Sequence, residues 1–169
     1  MISEQLEIII QNAFDLARDK KHEFLTLEHL LIELCKDKEV IDFLKSKNVK
    51  LTALTNDLTT YIEKKLKSIT LIDETKPLPS VSFERVLKRA AQHVQSSRKG
   101  EVKSLNILVA MFSERDSYAV YFLEKPNISR LDLVSYISHG KEDKTEIRIS
   151  ENITTDEKNK RQNKNPLEK

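Results

Sequence analysis

The chain has 169 residues, a third of them charged, and its 29 basic and 27 acidic side chains leave a formal net charge of +2. That length suffices for one domain or for two small halves sharing a core, and so even a charge balance gives no electrostatic case for nucleic acid, which needs a strongly basic face. Two glycines, four prolines and no tryptophan argue against β-rich and collagen-like classes, and the single Cys35 excludes an internal disulfide. The opening Met-Ile-Ser-Glu-Gln lacks the basic and apolar regions of a signal peptide. No apolar run is long enough to span a bilayer, so the expectation is a soluble, cytoplasmic protein without a membrane partner.

Ile2, Leu6, Ile9, Ile10, Ala13, Phe14 and Ala17 recur at helical spacing and predict a first amphipathic helix capped by Ser3. A polar loop from Lys20 to Leu25 leads to Thr26, which can cap a second helix carrying Leu27, Leu30, Leu31 and Leu34 on one face. Glu28 falls in its first turn, where the helix dipole favours a carboxylate, and forms with Glu23 an exposed acidic corner. Asp37 can cap a third helix with Val40, Ile41, Phe43 and Leu44. A fourth runs from about Lys50 with Leu51, Leu54, Leu58, Tyr61 and Ile62 as its stripe.

Periodicity then lapses from Ser68 to Val81, where Pro77 and Pro79 favour an extended connector. Helices resume in the same order. Ser82 can cap a helix with Phe83, Val86, Leu87, Ala90, Ala91 and Val94, and Ser104 one running from Leu105 to Phe112. Asp116 can start a helix with Tyr118, Val120, Tyr121 and Phe122. Ser129 and Asp132 have the spacing of a capping box opening a last helix, which Gly140 ends.

The halves align, with Glu23 on Glu101, Thr26 on Ser104, Leu30 on Leu108 and Leu34 on Phe112. One added residue later, Asn48-Val49 falls on Asn127-Ile128 and Leu54 on Leu133. Two four-helix units, each too small to bury its own faces, predict an all-α, eight-helix domain with pseudo-twofold packing. It covers residues 1–140, with repeat 1 at about 1–65, a connector at 66–81 and repeat 2 at about 82–140. Residues 141–169 are polar, charged and aperiodic, and predict a flexible, disordered tail.

No catalytic arrangement stands out. His22 and His29 flank a loop-to-helix junction and lack the i, i+4 spacing of helical zinc sites, and no nucleophile motif is present. Neither a catalytic residue nor a metal site is expected. The basic pairs Lys88-Arg89 and Arg98-Lys99 fit solvated helix faces better than a DNA-binding surface.

The repeat, together with His22-Glu-Phe-Leu-Thr-Leu-Glu-His-Leu-Leu31, Ser82-Phe-Glu-Arg-Val-Leu-Lys-Arg-Ala90 and Ser129-Arg-Leu-Asp-Leu-Val-Ser-Tyr-Ile-Ser-His-Gly140, resembles the double Clp repeat N-terminal domain family. The Val94–Ser97 run and the last of these segments tilt the resemblance to the ClpA-type branch. The resemblance implies a non-catalytic docking module that receives substrates and an adaptor of the ClpS type. The module would pass them to an ATPase ring that feeds the ClpP peptidase. It also implies adaptor-facing roles for Glu23, Glu28, Ser80 and Arg85, with Ser80 standing where close relatives carry threonine.

ATP, hexamer formation and ClpP contact belong to the family's other modules. With glycine only at positions 100 and 140, these 169 residues hold no G-x-x-x-x-G-K-[S/T] loop, so no cofactor is expected in this chain and the isolated domain is expected to be monomeric. Such a chain is either a domain separated from its ATPase in the linker or a natural truncation acting as a decoy that competes for the adaptor.

Overall fold

A computed structural model describes residues 1–66, 76–97 and 100–139. Among them the periodic stretches fold as eight helices: α1 (Glu4–Asp19), α2 (Leu27–Leu34), α3 (Lys38–Ser46), α4 (Leu51–Lys65), α5 (Val81–Ser97), α6 (Ser104–Met111), α7 (Tyr118–Glu124) and α8 (Arg130–His139). Two short strands, β1 (Phe24–Leu25) and β2 (Leu78–Pro79), pair in parallel. The chain divides into two compact units, Met1–Leu133 and Val134–Lys169. Within the second, Val134–His139 continue α8. The predicted Gly140 stop, the 141–169 tail, the Arg98-Lys99 pair and most of the connector lie outside the described residues.

The core of the first unit is built from the predicted stripes. Leu6, Ala13, Leu30, Leu31, Leu34 and Phe43 are wholly shielded from solvent in the first repeat, and so are Val86, Ile107, Leu108 and Met111 in the second. Burying a leucine or phenylalanine side chain contributes about 1.5–3 kcal/mol, and this is what holds together helices too short to be stable alone. α2 is an extreme case, because all eight of its residues are buried, including Glu28, His29 and Glu33.

Several helix starts differ from the expected ones. Ser3 caps α1 as predicted, its hydroxyl accepting from the Leu6 N–H at 3.1 Å. The cap of α5, however, is Ser80 rather than Ser82, since the Phe83 N–H donates to Ser80 Oγ at 3.1 Å. α6 begins at Ser104 itself, with Lys103 at the N-cap and the Asn106 side chain accepting from the Lys103 N–H. Ser117, not Asp116, caps α7. The Ser129–Asp132 box is present in both directions, at 2.9 and 3.1 Å.

These caps correct the internal alignment. In the first half of each repeat the equivalence runs one position earlier than the sequence suggests. Ser3 matches Ser80, Leu6 matches Phe83, Ala13 matches Ala90, Thr26 matches Lys103, Leu30 matches Ile107 and Leu34 matches Met111. Each pair shares a cap position or a buried site. After α3 and α7 the expected match holds, for Asn48 and Asn127 both take left-handed backbone, with φ of 59° and 67°.

The two repeats join reciprocally. The strand segment before α5 pairs with the loop before α2, through β1 and β2. The segment before α1 pairs with the loop before α6, through a parallel bridge between Ile2 and Val102. Ser80 N–H donates to the Leu25 carbonyl at 2.9 Å, and Ser3 N–H to the Val102 carbonyl at 3.0 Å. Each repeat thus completes the edge of the other.

Candidate functional site: the paired starts of α2 and α5

Parallel pairing of β1 with β2 sets Phe24 opposite Leu78 and Leu25 opposite Pro79. Glu23 receives the Leu78 N–H on its carbonyl at 3.1 Å, and the next bond along, from Ser80 to Leu25, carries the chain into the α5 cap. The starts of α2 and α5 therefore lie side by side. Along their outer edge Phe24, Leu78 and Val81 are exposed, an apolar strip that nothing in the sequence pattern marked. The side chain of Glu23 is exposed at one end of this strip. Arg85 sits one helical turn beyond Val81, on the same face of α5.

The four expected site residues fare differently. Glu23 and Ser80 are brought together on this edge. The Ser80 hydroxyl is already engaged as the α5 cap, which leaves its proton free to donate. Arg85 is exposed but not free. Its Nε and terminal nitrogen donate to the two carboxylate oxygens of Glu114, at 3.1 and 2.6 Å. That fork holds the Glu114 carboxyl below the usual carboxylate range, with the hydrogen bond from Arg85 as the first cause. A cleft lined by Ser82, Ser113, Arg115 and Ser117 opens beside this pair. Glu114 itself carried no sequence signal, being one acid in a polar run.

Glu28 departs furthest from expectation. It is not part of an exposed acidic corner but 6% exposed, and its carboxylate accepts the Ala119 N–H at 2.8 Å. Burial pushes its carboxyl up, and the Ala119 hydrogen bond pulls the other way. The physical reason is packing: α2 lies against α7, and the first turn of α7 presents N–H groups that no carbonyl of its own can satisfy. Glu28 supplies an acceptor from the other repeat.

Behind the same helix start lies a buried histidine pair. His29 occupies the third position of α2 and completes a capping box with Thr26. The Thr26 N–H donates to His29 Nδ1 at 3.0 Å, and the His29 N–H to Thr26 Oγ1 at 3.4 Å. Because Nδ1 is an acceptor, neutral His29 carries its proton on Nε2 and donates it to His22 Nδ1 at 2.8 Å. His22 is then also the Nε2–H tautomer. Burial lowers both imidazoles, His29 to about 3. Among the described residues no group of three or more His, Cys, Asp or Glu gathers as metal ligands, and no helix is long and apolar enough to cross a membrane.

These features define a duplicated, all-α domain whose distinctive surface is a strapped pair of helix starts. Residues 1–126 match the model of the Clp repeat (R) N-terminal domain, and the chain belongs to that family. A ClpA homolog protein of Fuscovulum blasticum is 41% identical over 139 residues, which is 82% of this chain and 18% of that protein. The chain therefore spans less than a fifth of that relative's length.

Solved structures share the fold. The Hsp104 N-terminal domain from Candida albicans superposes with a TM-score of 0.72 at 16% identity, covering 83% of this chain and 91% of that one. The N-domain of ClpV from Vibrio cholerae gives 0.67 at 20% identity, covering 81% and 82%. A ClpV N-domain in complex with a VipB peptide gives 0.65 at 20%, covering 82% and 85%.

Proposed function

We propose that this chain is the docking module of a Clp-type AAA+ unfoldase, working in the cytoplasm as a non-catalytic, monomeric domain. It receives protein substrates and an adaptor of the ClpS type, and delivers them to an ATPase ring for degradation with ClpP. ATP hydrolysis, ring formation and ClpP contact belong to modules outside this chain. The observation that carries the reading is the edge where α2 and α5 start together. There an exposed apolar strip of Phe24, Leu78 and Val81 is bounded by Glu23, Ser80 and Arg85. An apolar centre with polar, charged ends is the anatomy of a protein-docking surface. Membership of the Clp repeat family and the ClpV N-domain seen with a peptide support a docking role.

Within this reading Glu23, Ser80 and Arg85 meet the adaptor directly. Glu28 acts from beneath by fixing α7 against α2. Calorimetric titration with a ClpS-type adaptor tests this. Phe24→Ser and Arg85→Glu should each weaken binding by about tenfold or more, as central or charge-reversed interface positions do. Their effect on stability should stay within about 1 kcal/mol. Undiminished binding by both variants would move the adaptor to another face.

A further inference from the structure

α4 and α7 meet at a cluster of four aromatic rings that the docking edge does not use. Tyr61 of α4 packs on Tyr118 and Phe122 of α7, with ring centroids 4.5 and 6.1 Å apart. Tyr121 closes on Tyr118 and Phe122 at 6.2 and 5.2 Å. Tyr118 is 51% and Tyr121 56% exposed, while Tyr61 and Phe122 are half-buried. Beside Phe122 the same face opens into a pocket of about 360 Å³, walled by Val49, Ala53, Leu54 and Pro126. Asp57, the carboxylate in its lining, is paired with Lys125 at 3.6 Å.

The fold does not require these rings on the surface. Counting back from the left-handed asparagines, Asn48 and Asn127, Tyr118 and Tyr121 stand where α3 carries Glu39 and Asp42. Buried Ala119 and Leu123 stand where α3 buries Val40 and Leu44, so this count keeps the core faces in register. One helix packs with carboxylates outward, and its counterpart with tyrosines outward. A contiguous aromatic patch left in water marks a binding surface, because tyrosine supplies a large apolar face and a polar tip at little entropic cost.

The chemistry of the patch selects its ligand. Among the described residues no hydrogen bond engages the hydroxyl of Tyr61, Tyr118 or Tyr121. Burial, with Glu28 and Tyr118 alongside, pushes the Tyr61 phenol up to about 12, so it keeps its proton. The surface therefore offers O–H donors and ring faces, while its lining carboxylate is already taken. The negative ring faces repel an anion, which leaves a neutral ligand rich in acceptors and poor in donors. Proline is such a ligand, since its carbonyl accepts, it has no N–H to satisfy, and its ring packs on aromatic faces. Residues two apart in a polyproline II helix lie about 6 Å apart along its axis, close to the 6.2 Å between the Tyr118 and Tyr121 rings.

We propose that the α4–α7 face receives an uncharged, proline-rich segment of a partner protein, held as a polyproline II helix. Prolyl rings lie on Tyr118 and Tyr121, the segment's carbonyls accept from the tyrosine hydroxyls, and an apolar side chain enters the pocket beside Phe122. Ser117, the cap of α7, lines the cleft beside Arg85, so this face neighbours the docking edge without sharing a residue with it.

The test is a two-dimensional 15N–1H NMR titration of the whole chain with acetylated, amidated hexaproline. A flexible Gly-Leu-Ser-Gly-Leu-Ser peptide is run in parallel. Hexaproline should shift amides of residues 53–62 and 118–125 saturably, and the flexible peptide should leave them unmoved. The double variant Tyr118→Glu/Tyr121→Asp, at exposed positions, gives α7 the acidic surface of α3 and should lose the response with its Tm nearly unchanged. Tyr118→Phe/Tyr121→Phe keeps the rings without their donors and should bind about tenfold more weakly, as the loss of one or two neutral hydrogen bonds implies. The absence of a saturable shift, shifts that map elsewhere, an equal response to the flexible peptide, or undiminished binding by either double variant would each overturn the proposal. Phe24→Ser should respond to hexaproline as the parent does, which separates failure here from failure of the docking edge.

Discussion

His29 shows how much a single side chain can settle. Thr26 was legible as a cap, but its partner three residues on is usually glutamate or glutamine, and only the fold shows that an imidazole takes that role and hands its second nitrogen to His22. The arrangement has a sign. A histidine whose folded pKa is depressed gives stability that is intact above about pH 6.5 and is lost as the pH falls toward the folded value of about 3. Each unit of pH in that window costs about 1.4 kcal/mol per proton taken up. Buried Glu28 works the other way, since its raised carboxyl takes up a proton more readily folded than unfolded. His29→Gln keeps an acceptor for Thr26 and a donor for His22. It should flatten the loss of stability measured by urea unfolding between pH 7 and pH 5, whereas the parent should lose about 2 kcal/mol over that range.

Glu28 argues the same way. Sequence placed it in a first turn, correctly, but burial of a carboxylate depends on a helix from the other repeat that no local pattern announces. Glu28→Ala leaves the Ala119 N–H without its acceptor and should cost about 1–3 kcal/mol in chemical denaturation. Glu28→Gln retains an acceptor oxygen and should cost less. Equal losses in the two variants would mean that the charge, not the hydrogen bond, matters.

Among the elements, the helices were legible because apolar periodicity is a non-local packing requirement written locally. Their first residues were less so, because serines are frequent near these starts and several can cap. The strands were invisible, being two residues each and defined only by a partner far along the chain. Leu34, fully buried on α2, should lose about 2–5 kcal/mol on replacement by alanine, measured by thermal or urea unfolding. α1 ends in a way that a glycine-poor sequence hides. Lys21 takes φ of 59°, its N–H bonds the Arg18 carbonyl, and the His22 N–H bonds the Ala17 carbonyl. This is a Schellman stop with lysine where glycine is usual. Lys21→Gly relieves the left-handed strain and should raise stability by about 1 kcal/mol, visible as a higher Tm.

On the scale of the whole molecule, the duplication is legible from recurring motifs, but the alignment those motifs suggest is one position off across α2 and α6. Ser104 resembles Thr26 in chemistry, but the backbone puts Lys103 in the place of Thr26. The reciprocal joins have an experimental consequence. Residues 1–75 and 76–169 made as separate chains should each be poorly helical by circular dichroism, because each lacks the strand that finishes its edge, and should regain helicity when mixed. Independent folding of either piece would show the joins to be ornamental.

The exchange also bears on how such a molecule can arise. The segment before α5 reaches across to the loop before α2, and the segment before α1 reaches back to the loop before α6. Swap the labels of the repeats and the description is unchanged. That is the geometry of an isologous pair, in which two identical subunits lend each other the same piece. A lone repeat could satisfy its edge only by meeting its twin, so the fold is a closed dimer written into one polypeptide. Once both halves shared a chain they were free to diverge, and Arg85 forked onto Glu114 on α5, where α1 carries an exposed Ile8, is what that freedom looks like.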